Sequence, residues 1–330
     1  MPFEENEISV NSKGGTESVK RGLAERLPTG LADDFQIICS RVRKIEDDKI
    51  RVYWLHDLPE DPETNHLKDI NSRNRFHKIV YCGNWQYSRY QLVCGIPYDN
   101  QATVIDTPID PLPLHSKTFD TIRLVYSSTP QRGLNLLVSV FEKLAEKHKN
   151  IHLDVFSSFK IYGWEQNDTQ FESLYKKIKE HPQMTYHGFV ENNILKDHLL
   201  KSHIHAYPST WLECNSRSII EAMSGGLLCV HPNYGGLVDT SGGLNFMYQG
   251  DINLNTHANI FYQALDHAIE TVQKEDTQNY LKFVKAYADS RFGWKKITSQ
   301  WVDLLSSLKE RYSTIESRHI PKQMFVYNTL

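Results

Sequence analysis

Strand-like and helix-like segments alternate along this chain, and one Pro-rich stretch interrupts the series. Four apolar runs rich in Ile, Val and aromatics read as buried strands: "DFQIICSRV", "IRVYWLHD", "HKIVYCGNW" and "ATVIDTPID". Val19, Leu23, Ala24 and Leu27 recur at helical spacing after "SKGGTE", and Pro28 stops that run. The stretch "DTPIDPLPLHSKTFD", Asp106 to Asp120, carries three prolines and no periodicity, which marks a linker. A second series follows it. "TIRLVYSS", "IHLDVFSS", "MTYHGF", "HIHAYPS" and "GLLCVHP" read as strands. Between them lie helical faces, such as Leu134, Leu137, Val138, Phe141, Leu144 and Ala145, and the runs "FESLYKKIKEH" and "NILKDHLLKS". From Ala258 the pattern is helical, with aromatics at Phe261, Tyr280, Phe283, Trp294 and Trp301.

Alternation of this kind implies parallel sheets covered by helices. Two such series about a linker predict an α/β protein with two Rossmann-like domains facing each other across a cleft. The expected division is 1–112, a short first domain; 113–295, a second domain; and 296–330, a C-terminal helical segment. A chain of 330 residues is long for one core and suits two.

Composition excludes several classes. Hydrophobic residues make up 40% and charged residues 23%, as in globular proteins. The net charge of −3 supplies no bulk basic field for nucleic acid or an anionic membrane. No eighteen-residue apolar run reads as a transmembrane segment. The polar, acidic first twenty residues do not read as a signal peptide. Five cysteines without C-x-x-C spacing read as free thiols of a reducing compartment. A cytoplasmic location follows as the expectation, peripheral attachment to a membrane remaining open; oligomeric state is not legible. No metal-binding motif occurs. His203 and His205 share one face of a strand, a pair that is structural or metal-binding.

The stretch "PSTWLECNSRSIIEAMSGG" places Glu213 and Glu221 eight residues apart. Spacing alone decides nothing, because Glu17 and Glu25 share it. Ser218 to Glu221, "SIIE", fits a capping box; alternatively Asn215 or Ser216 caps the helix. The pair follows a strand end and opens a helix, where backbone N–H groups and a positive dipole can receive phosphate or sugar oxygens. Gly14 and Gly15 precede the first helix, and Gly235 and Gly236 follow "GLLCVHP"; each pair is a turn or a place for close ligand approach. Arg132 follows "TIRLVYSS" at the start of a helix, as a diphosphate clamp or a solvated turn residue. His56 ends "IRVYWLHD", where α/β proteins place functional groups. Neither G-x-G-x-x-G nor G-x-x-x-x-G-K-[ST] occurs, so the dinucleotide and P-loop fingerprints are missing.

Together these features resemble the family-four (group one) retaining glycosyltransferases of GT-B fold. "PSTWLECNSRSIIEAMSGGLLCVHPNYGG" is similar to that family's glutamate block and donor-site Gly-Gly. "YSSTPQRGLNLLVSVFEKL" resembles its phosphate-clamp loop and helix, and "YHGFV" its strand end beside the nucleotide base. "SKGGTE", "YWLHD" and "CGNWQ" are weaker likenesses, and "RFGWKKITSQW" resembles the terminal segment that returns to the first domain.

The resemblance implies a hexosyl-type transferase (EC 2.4) that binds a nucleotide diphosphate-sugar donor in residues 113–295. Residues 1–112 would take an unidentified glycan, lipid or protein acceptor. It implies no cofactor and no metal. Glu213 and His56 would be catalytic. Gly14, Gly15, Arg132, Val190, Cys214, Asn215, Ser216, Arg217, Glu221, Gly235 and Gly236 would bind the donor, with Glu221 on the ribose and Arg132 on the diphosphate. Departures leave two rivals, a non-catalytic nucleotide- or glycan-binding module and a nucleotide-sugar epimerase of the same shape. The family's Phe-Gly after the first glutamate is Asn215-Ser216 here, and Ser127 or Ser128 stands near its first phosphate-loop arginine.

Overall fold

The computed structural model describes residues 15–319, which form two compact units. Gly14 and the tail from residue 320 lie outside the described residues. Of the described residues, the first unit contains 18–106 and 297–319, and the second contains 107–296 together with 15–17.

In the first unit, α1 (Gly15–Arg26) is followed by β1 (Phe35–Cys39), β2 (Ile50–Leu55) and the short α2 (Ile70–Arg73). Then come β3 (Lys78–Tyr81), α3 (Asn84–Cys94) and β4 (Ala102–Val104). The strands make one parallel sheet in the order β1-β2-β3-β4. Every residue of β1 and β2 is buried, so these runs read as largely apolar stretches, broken only by Gln36 and Arg51, rather than alternating ones. The C-terminal segment completes this unit: Trp301 packs edge-on against Trp54 at 4.8 Å, and Arg318 and Lys309 both reach Asp34.

The second unit runs β5 (Ile122–Ser127), α4 (Leu134–Lys147), β6 (Ile151–Phe156), α5 (Glu172–Glu180) and β7 (Met184–Tyr186). It continues through α6 (Asn192–Lys201), β8 (Ile204–Ala206), α7 (Arg217–Ser224), β9 (Leu228–Pro232), α8 (Leu237–Ser241) and β10 (Phe246–Tyr248). Helices α9 (Leu254–Thr271) and α10 (Glu275–Phe292) follow. Helix α11 (Trp294–Arg311) starts in this unit and ends in the first, before the short α12 (Ile315–Arg318).

All six strands are parallel, in the order β10-β9-β8-β5-β6-β7. That is the doubly wound arrangement, in which the chain leaves β5 first towards β7 and then returns to β8 on its other side. Ligands in such sheets bind beyond the carboxyl ends of the strands, where the direction reverses. Here that point lies between β5 and β8.

The sequence places each strand except β10, whose three residues lie in "SGGLNFMYQG" among Gly, Asn and Gln rather than in a longer apolar run. The Pro-rich stretch is packed rather than loose. Ile109 is fully buried, pairs with Gly293, and exchanges backbone hydrogen bonds with Phe292 and Trp294. The N–H of Leu112 donates to Ser224 Oγ at 2.8 Å.

Candidate active site

Tyr126 near the end of β5 donates to the Thr129 carbonyl at 2.8 Å, which fixes the turn that follows. Arg132 ends a short 3-10 turn, Pro130–Arg132, just past that strand. Gly133 then opens α4 at φ 104, and a Cβ built there would lie 2.1 Å from the Pro208 carbonyl oxygen. Only glycine lets the two strand-end loops approach so closely. The second loop runs from β8 through Tyr207 to α7.

This approach brings Glu213 onto Arg132. Arg132 Nη1 donates to both carboxylate oxygens, at 2.8 and 3.1 Å. The phenol of Tyr207 donates to Glu213 Oε1 at 2.5 Å. Glu213 is only 5% exposed, so its charge is compensated inside protein rather than by water. Burial is the largest single influence on the pKa of Arg132 and lowers it, but Glu213, Tyr207 and Tyr162 together outweigh burial and the net shift is upward. Burial and the same carboxylate raise the pKa of Tyr207, keeping its proton on the phenol. Tyr162, in the turn after β6, has its pKa raised first by burial and also feels the charges of Arg132 and Glu213. Arg132 Nε is buried without a hydrogen-bond partner.

The backbone after β9 closes this loop from below. Gly236 N–H donates to the Glu213 carbonyl at 2.7 Å. A Cβ on Gly236 would lie 2.2 Å from the Cys214 carbonyl oxygen, and one on Gly235 3.0 Å from the Glu213 backbone. Both glycines are therefore demanded by chain packing around Glu213 and Cys214, a duty separate from ligand approach.

Glu221 is buried to the same degree as Glu213 but is held differently. Its partner is Arg217, one turn earlier on α7, at 2.9 Å. The capping box of Ser218 and Glu221 does not form. The helix starts two residues too early for it: Ser216 is the N-cap, and Glu221 lies beyond the position that reaches back to the cap amide. Ser216 makes no side-chain cap bond; its N–H donates to Thr240 Oγ1 and its hydroxyl meets that of Ser218. Cys214 and Asn215 lie between the two glutamates. Val190 lies between β7 and α6, half-buried against the core.

Gly15 is the first residue of α1, with open space where a Cβ would stand. His56 belongs to the first unit, just past β2, with Ser40 Oγ accepting from its N–H and Cys82 Sγ 3.4 Å from its Nδ1. Burial, followed by the Lys20 charge, pushes His56 down to about 3, so the imidazole is neutral. Burial likewise raises the pKa of the neighbouring Asp57. Gln86, fully buried, ties this strand end together: it accepts from Cys82 N–H and donates to the Leu55 and Asp57 carbonyls.

His203 and His205 are no metal pair. His203 accepts from Arg123 N–H and meets the Thr118 carbonyl, and His205 faces Ser127 Oγ. Sequence reading missed Tyr207 and Tyr162. Tyr207 lies in the quoted strand "HIHAYPS", directly after its last paired residue, which is the signal that could have found it.

Comparison with known proteins agrees with this geometry. Residues 114–242 match the family model described as "Glycosyl transferases group 1". No curated protein is significantly similar in sequence. Among solved structures, a glycosyltransferase from Rickettsia africae is 14% identical with a TM-score of 0.65, covering 91% of this chain and 83% of its own. Anabaena HepE, solved in complex with UDP-glucose, is 20% identical with a TM-score of 0.59, over 78% of this chain and 72% of HepE. Sucrose-phosphate synthase from Thermosynechococcus elongatus is 15% identical with a TM-score of 0.61, over 79% and 68%. The two Rossmann-like units and this likeness define the fold, that of the GT-B glycosyltransferases. More narrowly, the stretch that matches the group 1 glycosyl transferase model, residues 114–242, contains Arg132, Glu213 and Glu221. Among the described residues, no helix is long and apolar enough to cross a membrane.

Proposed function

We propose that the protein transfers a sugar, with retained anomeric configuration, from a nucleotide diphosphate-sugar to a hydroxyl of a glycan, lipid or protein acceptor. The observation that carries this reading is the buried Glu213–Arg132–Tyr207 cluster at the reversal point between β5 and β8. In the reaction the anomeric C–O bond to the diphosphate breaks, and a new C–O bond forms to the acceptor oxygen. The acceptor proton leaves with the nucleoside diphosphate. Charge builds up on the departing oxygens, where the Arg132 guanidinium stabilises it in a low-dielectric site. The sugar becomes oxocarbenium-like, and the Glu213 carboxylate beside it favours that state. Tyr207 holds the carboxylate in place. Glu221 takes the ribose hydroxyls, the loop around Val190 the base, and the α7 amides beside Ser216 and Arg217 the phosphates. Neutral His56 donates or accepts a hydrogen bond to sugar or acceptor. With charge met by the protein, transfer needs no metal and no cofactor. HepE, bound to UDP-glucose in its solved structure, makes UDP-sugars the first donors to test.

The test is a donor panel of UDP-, GDP- and ADP-sugars, following release of free nucleotide together with the glycoside formed. Glu213→Gln is expected to lower turnover by about 10²–10³-fold, the scale of losing one electrostatic contact to the transition state. Turnover that survives Glu213→Gln, or an isomerised nucleotide sugar as sole product, overturns the reading. So does binding of nucleotide sugar by wild type without any turnover.

A further inference from the structure

The second unit holds a cluster of imidazoles on a carboxylate that the glycosyl-transfer chemistry does not use. Asp154 lies on β6, buried, and its Oδ1 is 2.8 Å from His187 Nε2. His187 follows β7, its N–H bonded to the Val155 carbonyl and its ring stacked on Phe156 at 4.3 Å. His198 comes from α6 and packs edge-on against both Phe156 and His187. One ligand atom from each of Asp154, His187 and His198 lies within 4.8 Å of the other two.

We propose that Asp154, His187 and His198 bind a zinc-class divalent cation that staples β6, the β7–α6 loop and α6 together. Two imidazoles and one carboxylate suit a borderline cation such as Zn²⁺ rather than Mg²⁺ or Ca²⁺. Three protein ligands leave a position for water, which half-exposed His187 and His198 admit. Tetrahedral bonds of about 2.0–2.1 Å put ligand atoms about 3.4 Å apart, so on binding the Asp154–His187 pair, now 2.8 Å apart, opens slightly and the third ligand adjusts to complete the set. His198 can supply that movement, since its ring makes no hydrogen bond among the described residues. Arg123 Nη1 lies 3.5 Å from Asp154 Oδ2 and orients the carboxylate so that Oδ1 faces the imidazoles. The other cluster of this kind, His148, Asp266 and Glu270, differs in one respect. Lys147 Nζ already sits on both of its carboxylates, at 2.7 and 2.8 Å, where a cation would go. The stapled loop carries Gly188 and Val190, so the ion would stiffen the segment read above as lying beside the nucleotide base.

The probe is Zn²⁺ itself, titrated calorimetrically into tag-free, EDTA-treated full-length protein, with Mg²⁺ and Ca²⁺ as controls. One equivalent of Zn²⁺ is expected to bind and to raise Tm, with neither control competing. His198→Gln, on a half-exposed helix face, is expected to weaken binding by about 10–100-fold or more and to abolish the Tm shift. His148→Gln is expected to leave both intact. Absence of Zn²⁺ binding by the wild type overturns the proposal. Binding that survives His198→Gln, or is lost in His148→Gln, overturns it as well. None of these readouts depends on sugar transfer, so the proposal and the functional reading fail separately.

Discussion

The carboxyl ends of the two sheets are built on opposite electrostatic plans. In the first unit burial works against charge on the groups past β2 and β3. Burial drives His56 down to about 3, raises Asp57, and leaves Gln86 to satisfy three backbone groups. In the second unit an opposite charge is built in past β5 and β8, where Arg132 meets Glu213 at 2.8 Å. The lesson is that burial alone does not decide a protonation state. A buried group with a fixed opposite charge stays ionised, and one without it goes neutral.

Four substitutions or conditions test this contrast. The largest effect is expected for Arg132→Met, which leaves the Glu213 carboxylate buried and alone and costs about 3–5 kcal/mol. The double variant Arg132→Met/Glu213→Gln should recover most of that loss in urea unfolding, because no charge remains to strand. If the double variant is as unstable as the single one, the ion pair is not what holds these loops. Next comes pH. Burial pushes His56 and His205 to about 3, and His203 and His231 to about 4, from 6.5. The unfolded chain then binds more protons than the folded one, so stability is complete above about 6.5 and falls as pH drops towards 4. Each fully buried imidazole contributes up to about 1.4 kcal/mol per pH unit in that window, and unfolding midpoints measured from pH 7 to 4.5 check the slope. Gly236→Ala should cost about 1–3 kcal/mol through overpacking against the Cys214 carbonyl, read as a fall in Tm with a parallel loss of turnover. Gln86→Leu, in the neutral cluster, should be the mildest at about 1–3 kcal/mol, leaving turnover unchanged within a few-fold. A loss matching that of Arg132→Met would erase the contrast.

Much of the fold was legible because buried parallel strands write themselves as apolar runs, and nine of the ten strands lie in such runs. The tenth, Phe246–Tyr248, is set among Gly, Asn and Gln, so no longer apolar run marks it. The residue types of the site were legible too, since Glu213, Arg132 and the glycines stand at strand ends. Their pairing was not. Arg132 and Glu213 are 81 residues apart, and only the adjacency of β5 and β8 makes them neighbours. The helix start was misread in one alternative because "SIIE" satisfies a local rule while Ser216 begins the helix earlier. His187, His198 and Asp154 show no motif because they come from three different elements. The roles given to the glycines also shift, for their missing side chains make room for other backbone.

The path of α11 has a consequence for synthesis. The second unit is, along the chain, an insert within the first: Thr107–Lys296 is continuous, whereas the first unit needs both Ser18–Asp106 and the segment from Ile297. Trp301, Lys309 and Arg318, which cover Trp54 and anchor on Asp34, are among the last described residues made. On the ribosome the order of completion is therefore reversed. The half that is started first is finished last, and until the segment after Lys296 has emerged it waits with the Trp54 face of its sheet uncovered.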